Sequence, residues 1–481
     1  MGISVAGVLV FGLLAILGWT LGSPLIIGLM TSLAFGSTAI GTVGGSTPLL
    51  FTAFEMLMVA SLALRPSALR SLPAVMRQHW TSGVMLALGI YVVGGAILIP
   101  RLFAGRVVVP GVVGGYSADV LLQPVPGNFN QACYFAMGVA VFFALSVRLL
   151  DVRNLEIIRR GFFAFAAANA ALGILDILGK IVGISDILLP IRTAAYTMHT
   201  ATSVGGFWRI AGGHPEASAF ASVTFAALAF CLSYWRASGA RLALWLTLIS
   251  GGLLVLSTSS TAYGSLGILS VFLGAEIAYL AVKNRFKRRD AALLGVAAVG
   301  VVAIVCFAVF DPRIIDPFVD FLYSAIWDKA QSASGIERAY WNERSMDAFM
   351  ATSGIGIGLG SARASSWLVA VLSQLGVIGF SLIGVLTVFI VYGMRGVERN
   401  EDTMELITIA NSVRASALAS LAAFSLVGGN ADPGVIFVIA VAVIAACRLA
   451  AFRHASLQKG QENGYPPLAG MPARGIEAGA S

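Results

Sequence analysis

The stretch "GIGIGLGSARASSWLVAVLSQLGVIGF" (Gly354–Phe380) passes from closely spaced glycines, through the single charged residue Arg363, into a long apolar run. The run continues to about residue 393. A helix needs roughly 20 apolar residues to cross a bilayer, so this run is long enough to span one. The pattern predicts a chain that returns from a surface loop into a membrane, and similar runs along the chain decide its fold class.

The composition of the whole chain supports a membrane protein. Of its 481 residues 58% are hydrophobic and 11% charged, and the mean hydropathy is +0.88. Soluble globular proteins carry about 25% charged residues. The net charge of +8 does not indicate a nucleic-acid partner, because the basic residues form short clusters between apolar segments, as in cytoplasmic loops.

The apolar segments predict an all-α, polytopic transmembrane bundle. They lie at about 3–20, 23–40, 46–64, 82–100, 132–150, 161–182, 216–235, 242–258, 261–282, 291–310, 366–393, 405–428 and 434–452. A break at "GWTLGSP" suggests that residues 3–40 contain one true crossing and one partial segment. We therefore expect about 12 spans, with both chain ends in the cytoplasm.

Lysine and arginine placement predicts which loops face the cytoplasm. The basic clusters alternate with longer, less basic loops at about 101–131, 183–215 and 311–365, which should face the periplasm. One body is expected over 1–455, with 311–365 as a large periplasmic loop within it and 456–481 as a disordered cytoplasmic tail.

The second outer loop contains ionisable residues next to a membrane helix. "VGGFWRIAGGHPEASAFASVTF" (Val204–Phe225) places Arg209, His214 and Glu216 within eight residues, with Pro215 suited to the first helical turn. The ordinary interpretation is a capped helix with a solvated arginine. Three such groups at the membrane surface favour a site, so we take all three as candidate catalytic residues.

The third outer loop predicts two helices and further candidates. Apolar spacing over Ile314–Ala330 indicates a helix on the membrane surface, and "SGIERAYWNERSMDAF" (Ser334–Phe349) predicts a second helix. This second helix carries Arg338 as a candidate catalytic residue. Candidate substrate-binding residues are Trp341, Arg344, Arg363 and, in the second loop, Arg192.

Arginines from separate outer loops are suited to binding a diphosphate, because the guanidinium fork is always charged and donates several hydrogen bonds. A snorkelling or loop position is the commoner role for any single arginine. The glycine run lacks the Lys-Ser/Thr of a phosphate-binding loop, and the four cysteines lack metal-site spacing. We expect neither a metal nor a cofactor.

Polar residues inside the apolar segments have several interpretations. Asp176 and Lys180, four residues apart, predict a structural ion pair. Glu55 and Glu276 are isolated acids and functional candidates by default. The hydroxyls of "LSTSSTAYGSLG" (Leu256–Gly267) either satisfy backbone groups in a tight hairpin or line a polar cavity.

The segments "RIAGGHPEASAFA", "STSSTA" and "SGIERAYWNERSMDAFMATSGIGIGLGS" resemble the O-antigen ligase and polysaccharide polymerase family of bacterial inner membranes. The resemblance implies a GT-C-like glycosyltransferase that uses an undecaprenyl-diphosphate glycan without metal or nucleotide sugar. It implies that Arg209 and Arg338 bind the diphosphate leaving group. It also implies membrane lipid, a flippase and a chain-length regulator as partners.

The chain departs from the ligase pattern after the glycine run. Ligases carry a histidine there as proposed base, whereas this chain has "ARASSW". We therefore favour a polymerase of lipid-linked repeat units, with Glu216 or His214 as base. The alternatives are a ligase, which would require His214 or His199, and a polysaccharide or lipid transporter.

Overall fold

The computed structural model describes residues 2–42, 47–113, 116–184, 186–196, 198–200, 203–204, 207–310 and 333–462. These residues contain sixteen α-helices. They are α1 Val5–Thr20, α2 Pro24–Ser32, α3 Leu50–Ala63, α4 Pro66–Leu69, α5 Leu72–Gln78, α6 Trp80–Leu102, α7 Pro126–Arg148 and α8 Arg153–Val182. There follow α9 Ala217–Ser238, α10 Arg241–Leu256, α11 Ser260–Val282, α12 Arg288–Phe310, α13 Ala333–Ala351, α14 Trp367–Tyr392, α15 Glu401–Val427 and α16 Val435–Glu462.

Three short antiparallel strand pairs accompany the helices. Their strands are β1 Gly2–Ile3 with β2 Gly41–Thr42, β3 Val108–Val113 with β4 Tyr116–Leu121, and β5 Ser203–Val204 with β6 Phe207–Trp208. The all-α prediction is confirmed for the membrane body. The strand pairs lie outside the helices, at positions where the sequence analysis placed no strand.

The centre of the bundle is formed by α9, α15 and α16. Buried residues make up 83% of the apolar part of α9 and 78% of that of α16, against 11% for α11. The contact face of α9 is rich in alanine and serine, and so is that of α15. Small side chains let helix backbones approach closely where lipid removes any hydrophobic preference for helix–helix contact.

Each predicted apolar segment contains a helix, but the count of 12 spans is not confirmed. Within the described residues, eight helices are long and apolar enough to cross a membrane, or nine if the bent pair of Leu50–Ala63 and Pro66–Gln78 is one span. The helix α2 has nine residues, fewer than a crossing requires. The predicted surface helix at 314–330 lies outside the described residues.

One end of the bundle, here called the arginine-rich end, collects the basic connections. Arg148 of α7 donates to Ser61 of α3 at 2.8 Å, and Arg448 of α16 donates to the carbonyl of Gly393 at 2.7 Å. Arg236 of α9 forms an ion pair with Asp290 of α12 at 2.9 Å. The predicted alternation of basic loops therefore corresponds to one end of the structure.

The opposite end, here called the loop end, contains 33–49, 103–125, 183–216, 352–366 and 428–434. Ser37 donates to the carbonyl of Gly213 at 2.8 Å, and this bond joins the 33–49 connection to the second outer loop. Asn430 donates to Gln131 at 2.6 Å. These contacts bring the predicted outer loops together.

The two described ends of the chain lie at opposite ends of the bundle. Gly2 pairs with Thr42 at the loop end, whereas Arg453 of α16 donates to Gln78 at the arginine-rich end. This arrangement does not support the prediction that both ends lie on one side, which stays a prediction. The predicted tail from residue 456 begins as helix, since α16 continues to Glu462, and 463–481 lie outside the described residues.

The glycine run is threaded into the bundle against a break in α14. This helix is interrupted at Gly376, where φ is +65°. The N–H of Ile357 donates to Ser373 O at 2.9 Å, and the N–H of Gly358 donates to Gln374 O at 3.0 Å. The run therefore satisfies carbonyls that the broken helix cannot satisfy itself.

Candidate functional site at the loop end

A buried ion network lies below the second outer loop. Asp176 of α8 forms ion pairs with Lys180 at 2.9 Å and with Arg192 at 3.3 Å, and Arg192 also pairs with Asp186. The side chains of Asp176, Lys180 and Arg192 are at most 1% exposed. The predicted Asp176–Lys180 pair is confirmed, and Arg192 extends it into the loop.

This network positions the backbone that carries Arg209. Lys180 Nζ donates to the carbonyl of Arg209 at 2.6 Å, while the N–H groups of Ala211 and Gly212 donate to Asp176 at 2.8 and 3.1 Å. Charge-assisted bonds of this kind are about twice as strong as neutral ones. The segment from Arg209 to Gly212 is therefore held rigidly on the end of α8.

The guanidinium of Arg209 is partly buried and has unused donor capacity. Its Nε is buried and makes no hydrogen bond among the described residues. Burial lowers the pKa of Arg209, the nearby charge of Glu216 raises it, and the charge of Arg338 lowers it. Arg338 therefore lies close to Arg209, although the two belong to different outer loops.

Two faces of α13 have different partners. Towards the β3–β4 hairpin, Glu337 accepts from Ser117 at 3.0 Å, and Tyr340 donates to Asp119 at 2.6 Å. On the other face, Asn342 accepts from the N–H of Ser365 at 2.8 Å, and Ser345 donates to the carbonyl of Arg363 at 3.1 Å.

Arg338 belongs to the second of these faces. It lies one helical turn before Asn342, and residues four apart share a helix face. It forms no ion pair among the described residues. The loop that carries Arg363 therefore packs along the face of α13 from which Arg338 projects, one to two turns away.

Four predicted site residues thus lie in one region of the loop end, namely Arg209, Arg338, Arg363 and Glu216. Glu216 is half-buried at the N-terminus of α9 and accepts from the hydroxyl of Ser218. The half-buried guanidinium groups of Arg209 and Arg338 can bind a di-anionic group. A single carboxylate beside them can accept a proton.

His214 is unsuited to proton transfer in this structure, so its prediction as catalytic is not supported. The ring is 3% exposed and lies beside Gly36, with Nε2 at 3.4 Å from Asn169 Oδ1. Burial, with a smaller effect from Arg192, lowers the pKa of His214 to about 3. The neutral imidazole is therefore a packing element between α2, α8 and α9.

Three predicted substrate contacts have other partners in the structure. Arg192 is fully buried and bound by two carboxylates, which leaves it a positioning residue. The indole of Trp341 is 7% exposed and donates to Glu337 at 3.3 Å, so little of it could stack on a sugar. Arg344 forms ion pairs with Asp119 at 3.1 Å and Asp347 at 3.2 Å on the hairpin-facing side.

The glycine run does not present a phosphate cradle. The N–H of Gly358 is bonded to Gln374, and that of Gly360 donates to the side chain of Gln374 at 3.0 Å. The carbonyl of Leu359 accepts from Asn128 at 2.8 Å. These backbone groups serve packing between α6, α7 and α14.

Buried Glu55 and half-buried Asp432 form a carboxylate pair of which the sequence analysis recognised one member. Glu55 of α3 is 5% exposed and lies close enough to Asp432 for the two charges to interact. Burial raises the pKa of Asp432, whereas a bond from the N–H of Gly434 lowers it. Glu55 was marked by its position within a span, but Asp432 follows "VGGN" as an ordinary loop acid.

Glu276 and the hydroxyl-rich segment Leu256–Gly267 lie in different parts of the structure. Glu276 pairs with Arg236 at 2.6 Å at the arginine-rich end, away from the site. In the α10–α11 turn, the hydroxyl of Ser257 donates to Leu254 O at 2.8 Å, while those of Thr258 and Ser259 are buried without a partner among the described residues. The hydroxyl of Ser257 thus satisfies a backbone group, as the hairpin interpretation expects, whereas those of Thr258 and Ser259 satisfy none among the described residues.

Comparison with known families and curated proteins identifies no relative of this chain. No protein-family model matches the chain, and no curated protein matches it. The plain conclusion from sequence and structure is a helical, multi-pass membrane protein.

Proposed function

We propose that the chain polymerises undecaprenyl-diphosphate-linked oligosaccharide repeat units into exopolysaccharide or O-antigen. In this proposal the loop end faces the periplasm of a bacterial inner membrane. The proposal agrees with the positive-inside rule, since the basic connections then face the cytoplasm. It also uses the resemblance of Arg209 and Arg338 to the family arginines of the second and third outer loops.

The observation that carries the proposal is the approach of Arg209 and Arg338. Burial opposes the charge of Arg209 most strongly, and Arg209 is attracted by Glu216 and, to a smaller extent, repelled by Arg338. A ligand with two or more negative charges would remove the repulsion. A diphosphate at the membrane surface has that charge.

The reaction is a glycosyl transfer. The acceptor sugar hydroxyl attacks the anomeric carbon of the donor, and the bond from that carbon to the diphosphate oxygen breaks. The electron pair stays on the diphosphate, where Arg209 and Arg338 stabilise the developing charge, with Arg363 as a further contact. Glu216 takes the proton of the attacking hydroxyl. The products are a glycan longer by one unit and undecaprenyl diphosphate.

The ligase alternative is less well supported. It requires a histidine base, and His214 is buried with its pKa lowered to about 3. His199, whose backbone N–H bonds to the carbonyl of Pro215 at 2.8 Å, lies beside Glu216 in the same loop. A ligase would therefore depend on His199.

The transporter alternative is favoured by one group of observations. Glu55 is a buried carboxylate of α3 that interacts with Asp432 at the loop end, and α14 is broken at Gly376. Intramembrane acids and broken helices are features of transport pathways. The arginines at the loop end have no role in that alternative, which is why we rank it below the polymerase.

The deciding experiment deletes the gene from its host and complements it with Arg338→Ala. Lipid-linked glycans and surface polysaccharide are then measured together by mass spectrometry and gel. We expect single repeat units on undecaprenyl diphosphate and a loss of polymer of at least about 10²-fold. Arg338→Lys should restore activity poorly, because lysine lacks the bidentate fork.

The matched control is Arg106→Ala, which removes an exposed positive charge from the same end of the bundle. This variant should make polymer of normal length. Full-length polymer stranded on the lipid after gene deletion would indicate a ligase. Unchanged glycans would exclude both glycosyltransferases and return the transporter to first place.

A further inference from the structure

A cavity of about 280 Å³ lies at the arginine-rich end, remote from the proposed active site. It is formed where α3 ends and the chain turns by 86° into α4 and α5, against the end of α7. Its polar lining consists of Arg65, Arg148, Ser61, Ser67 and Ser71. At roughly 30 Å³ for each water, the volume is that of about nine waters, enough for a phosphate with part of its ester.

The charge in this cavity is positive and unbalanced. The positive charge of Arg65 acts on Arg148, so the two guanidinium groups are near neighbours. Neither forms an ion pair among the described residues, and the cavity has no acidic lining residue. Arg148 is instead held by a bond to the hydroxyl of Ser61 at 2.8 Å. An anion between the two arginines would offset their repulsion.

The surrounding helices place the cavity at the membrane surface. The segment 66–78 lies across the end of α3, and it exposes both apolar and basic side chains, namely Leu69, Met76, Arg70 and Arg77. Exposed apolar and basic residues on one short segment are typical of an interfacial helix. The cavity lies beside that segment and is lined in part by Ser67, Ala68 and Ser71 from it.

We propose that this cavity binds a phosphate group through Arg65 and Arg148, and that the phosphate belongs to the headgroup of an anionic membrane lipid. The same two arginines could also bind free inorganic phosphate, which carries the same type of anionic oxygen. The interfacial position favours the lipid, because a phosphodiester there is already at the correct depth. The site is independent of the proposed glycosyl transfer, so either can fail without the other.

The test titrates the purified full chain in detergent with dioctanoyl phosphatidylglycerol, dioctanoyl phosphatidylcholine or inorganic phosphate at constant ionic strength. Saturable binding of phosphatidylglycerol is expected, with much weaker binding of the zwitterionic lipid and of phosphate. Arg65→Gln and Arg148→Gln should each weaken phosphatidylglycerol binding about tenfold, since each loses one charge-assisted contact.

The matched control is Arg70→Gln, which removes an equal charge from the same interfacial segment but outside the cavity lining. It should leave the dissociation constant within about twofold. An equal loss in Arg70→Gln, or no loss in Arg65→Gln, would overturn the site. Equal affinity for phosphate and lipid would overturn the lipid assignment. Should Arg148→Gln fail to fold, Arg65→Gln, at an exposed residue, decides alone.

Discussion

Gly356 and Gly376 touch backbone to backbone: a Cβ on Gly356 would lie 2.7 Å from the Gly376 nitrogen. Both have positive φ, at +92° and +65°. A Cβ on Gly376 would overlap the carbonyl oxygen of Ile355. The contact between the glycine run and the broken helix therefore excludes any side chain at either position.

We expect Gly376→Ala and Gly356→Ala each to destabilise the protein by about 2–4 kcal/mol, from the left-handed backbone and the overlap together. Thermal unfolding in detergent measures the loss. Gly384→Ala on the same helix is the control, because no atom lies within 4 Å of its added Cβ. A similar loss in all three variants would show that the close contact is not the cause.

Asp176→Asn should destabilise the fold strongly, by about 3–5 kcal/mol, because it leaves Lys180 and Arg192 buried without their shared carboxylate. Asp151→Asn breaks the exposed pair with Arg153 and should have little effect. The unfolding midpoints and the yield of folded protein measure both. Equal midpoints for the two variants would contradict the role of the buried network.

Arg209→Ala and Arg192→Ala should have opposite consequences. Removing Arg209 removes both its repulsion from Arg338 and its larger attraction to Glu216, so we expect little change in the unfolding midpoint together with a loss of polymer of about 10²-fold or more. Removing Arg192 leaves Asp186 without its ion pair and Asp176 with Lys180 as its one remaining ion-pair partner among the described residues, and it should lower the amount of folded protein. Immunoblots and polymer gels on the same membranes separate the two effects. Normal polymer in Arg209→Ala would exclude it from the site.

His214 should make the protein sensitive to mild acid. Its pKa is about 3 in the folded protein and 6.5 as the ordinary value, so only the unfolded chain takes up the proton between these pH values. The stabilisation is complete above pH 6.5 and is lost as the pH falls, by roughly 2 kcal/mol at pH 5. The difference in midpoint between wild type and His214→Gln should therefore shrink from pH 8 to pH 5. A constant difference would mean that the ring can be protonated in the fold.

The orientation of the N-terminus can be tested by cysteine labelling, after exposed Cys133 is replaced by serine. Ile3→Cys, 82% exposed, and Ser117→Cys should react with a membrane-impermeant maleimide from the same side, because both lie at the loop end. Ser67→Cys should react only from the other side. Labelling of Ile3→Cys with Ser67→Cys would restore the orientation expected from the sequence.

Much of the helical pattern could be predicted from apolar runs. Every run contains a helix, and the spacing of Asp176 and Lys180 predicted their pair correctly. The span count was less predictable, since α2 is apolar but covers only nine residues. Hydropathy measures the preference of a segment for lipid, and it does not say where a helix ends inside protein.

The site was only partly predictable. Arg209 and Arg338 were recognised by residue type and loop, and the structure brings them together. Arg192, Arg344 and Trp341 had the same features in the sequence but are engaged by neighbours such as Asp186, Asp119 and Glu337. A residue type indicates what a side chain can bind, while the partners that occupy it come from distant segments.

The sequence by itself determined that this is a helical membrane protein with basic connections at one end, because lipid solvation acts on each segment separately. The tertiary structure alone decided which charges are neutralised. It buries Arg192 between two carboxylates, leaves Arg338 beside Arg209, and hides His214 from water. Electrostatic interaction depends on distance and burial, and both arise only when loops far apart in the chain pack on the same bundle.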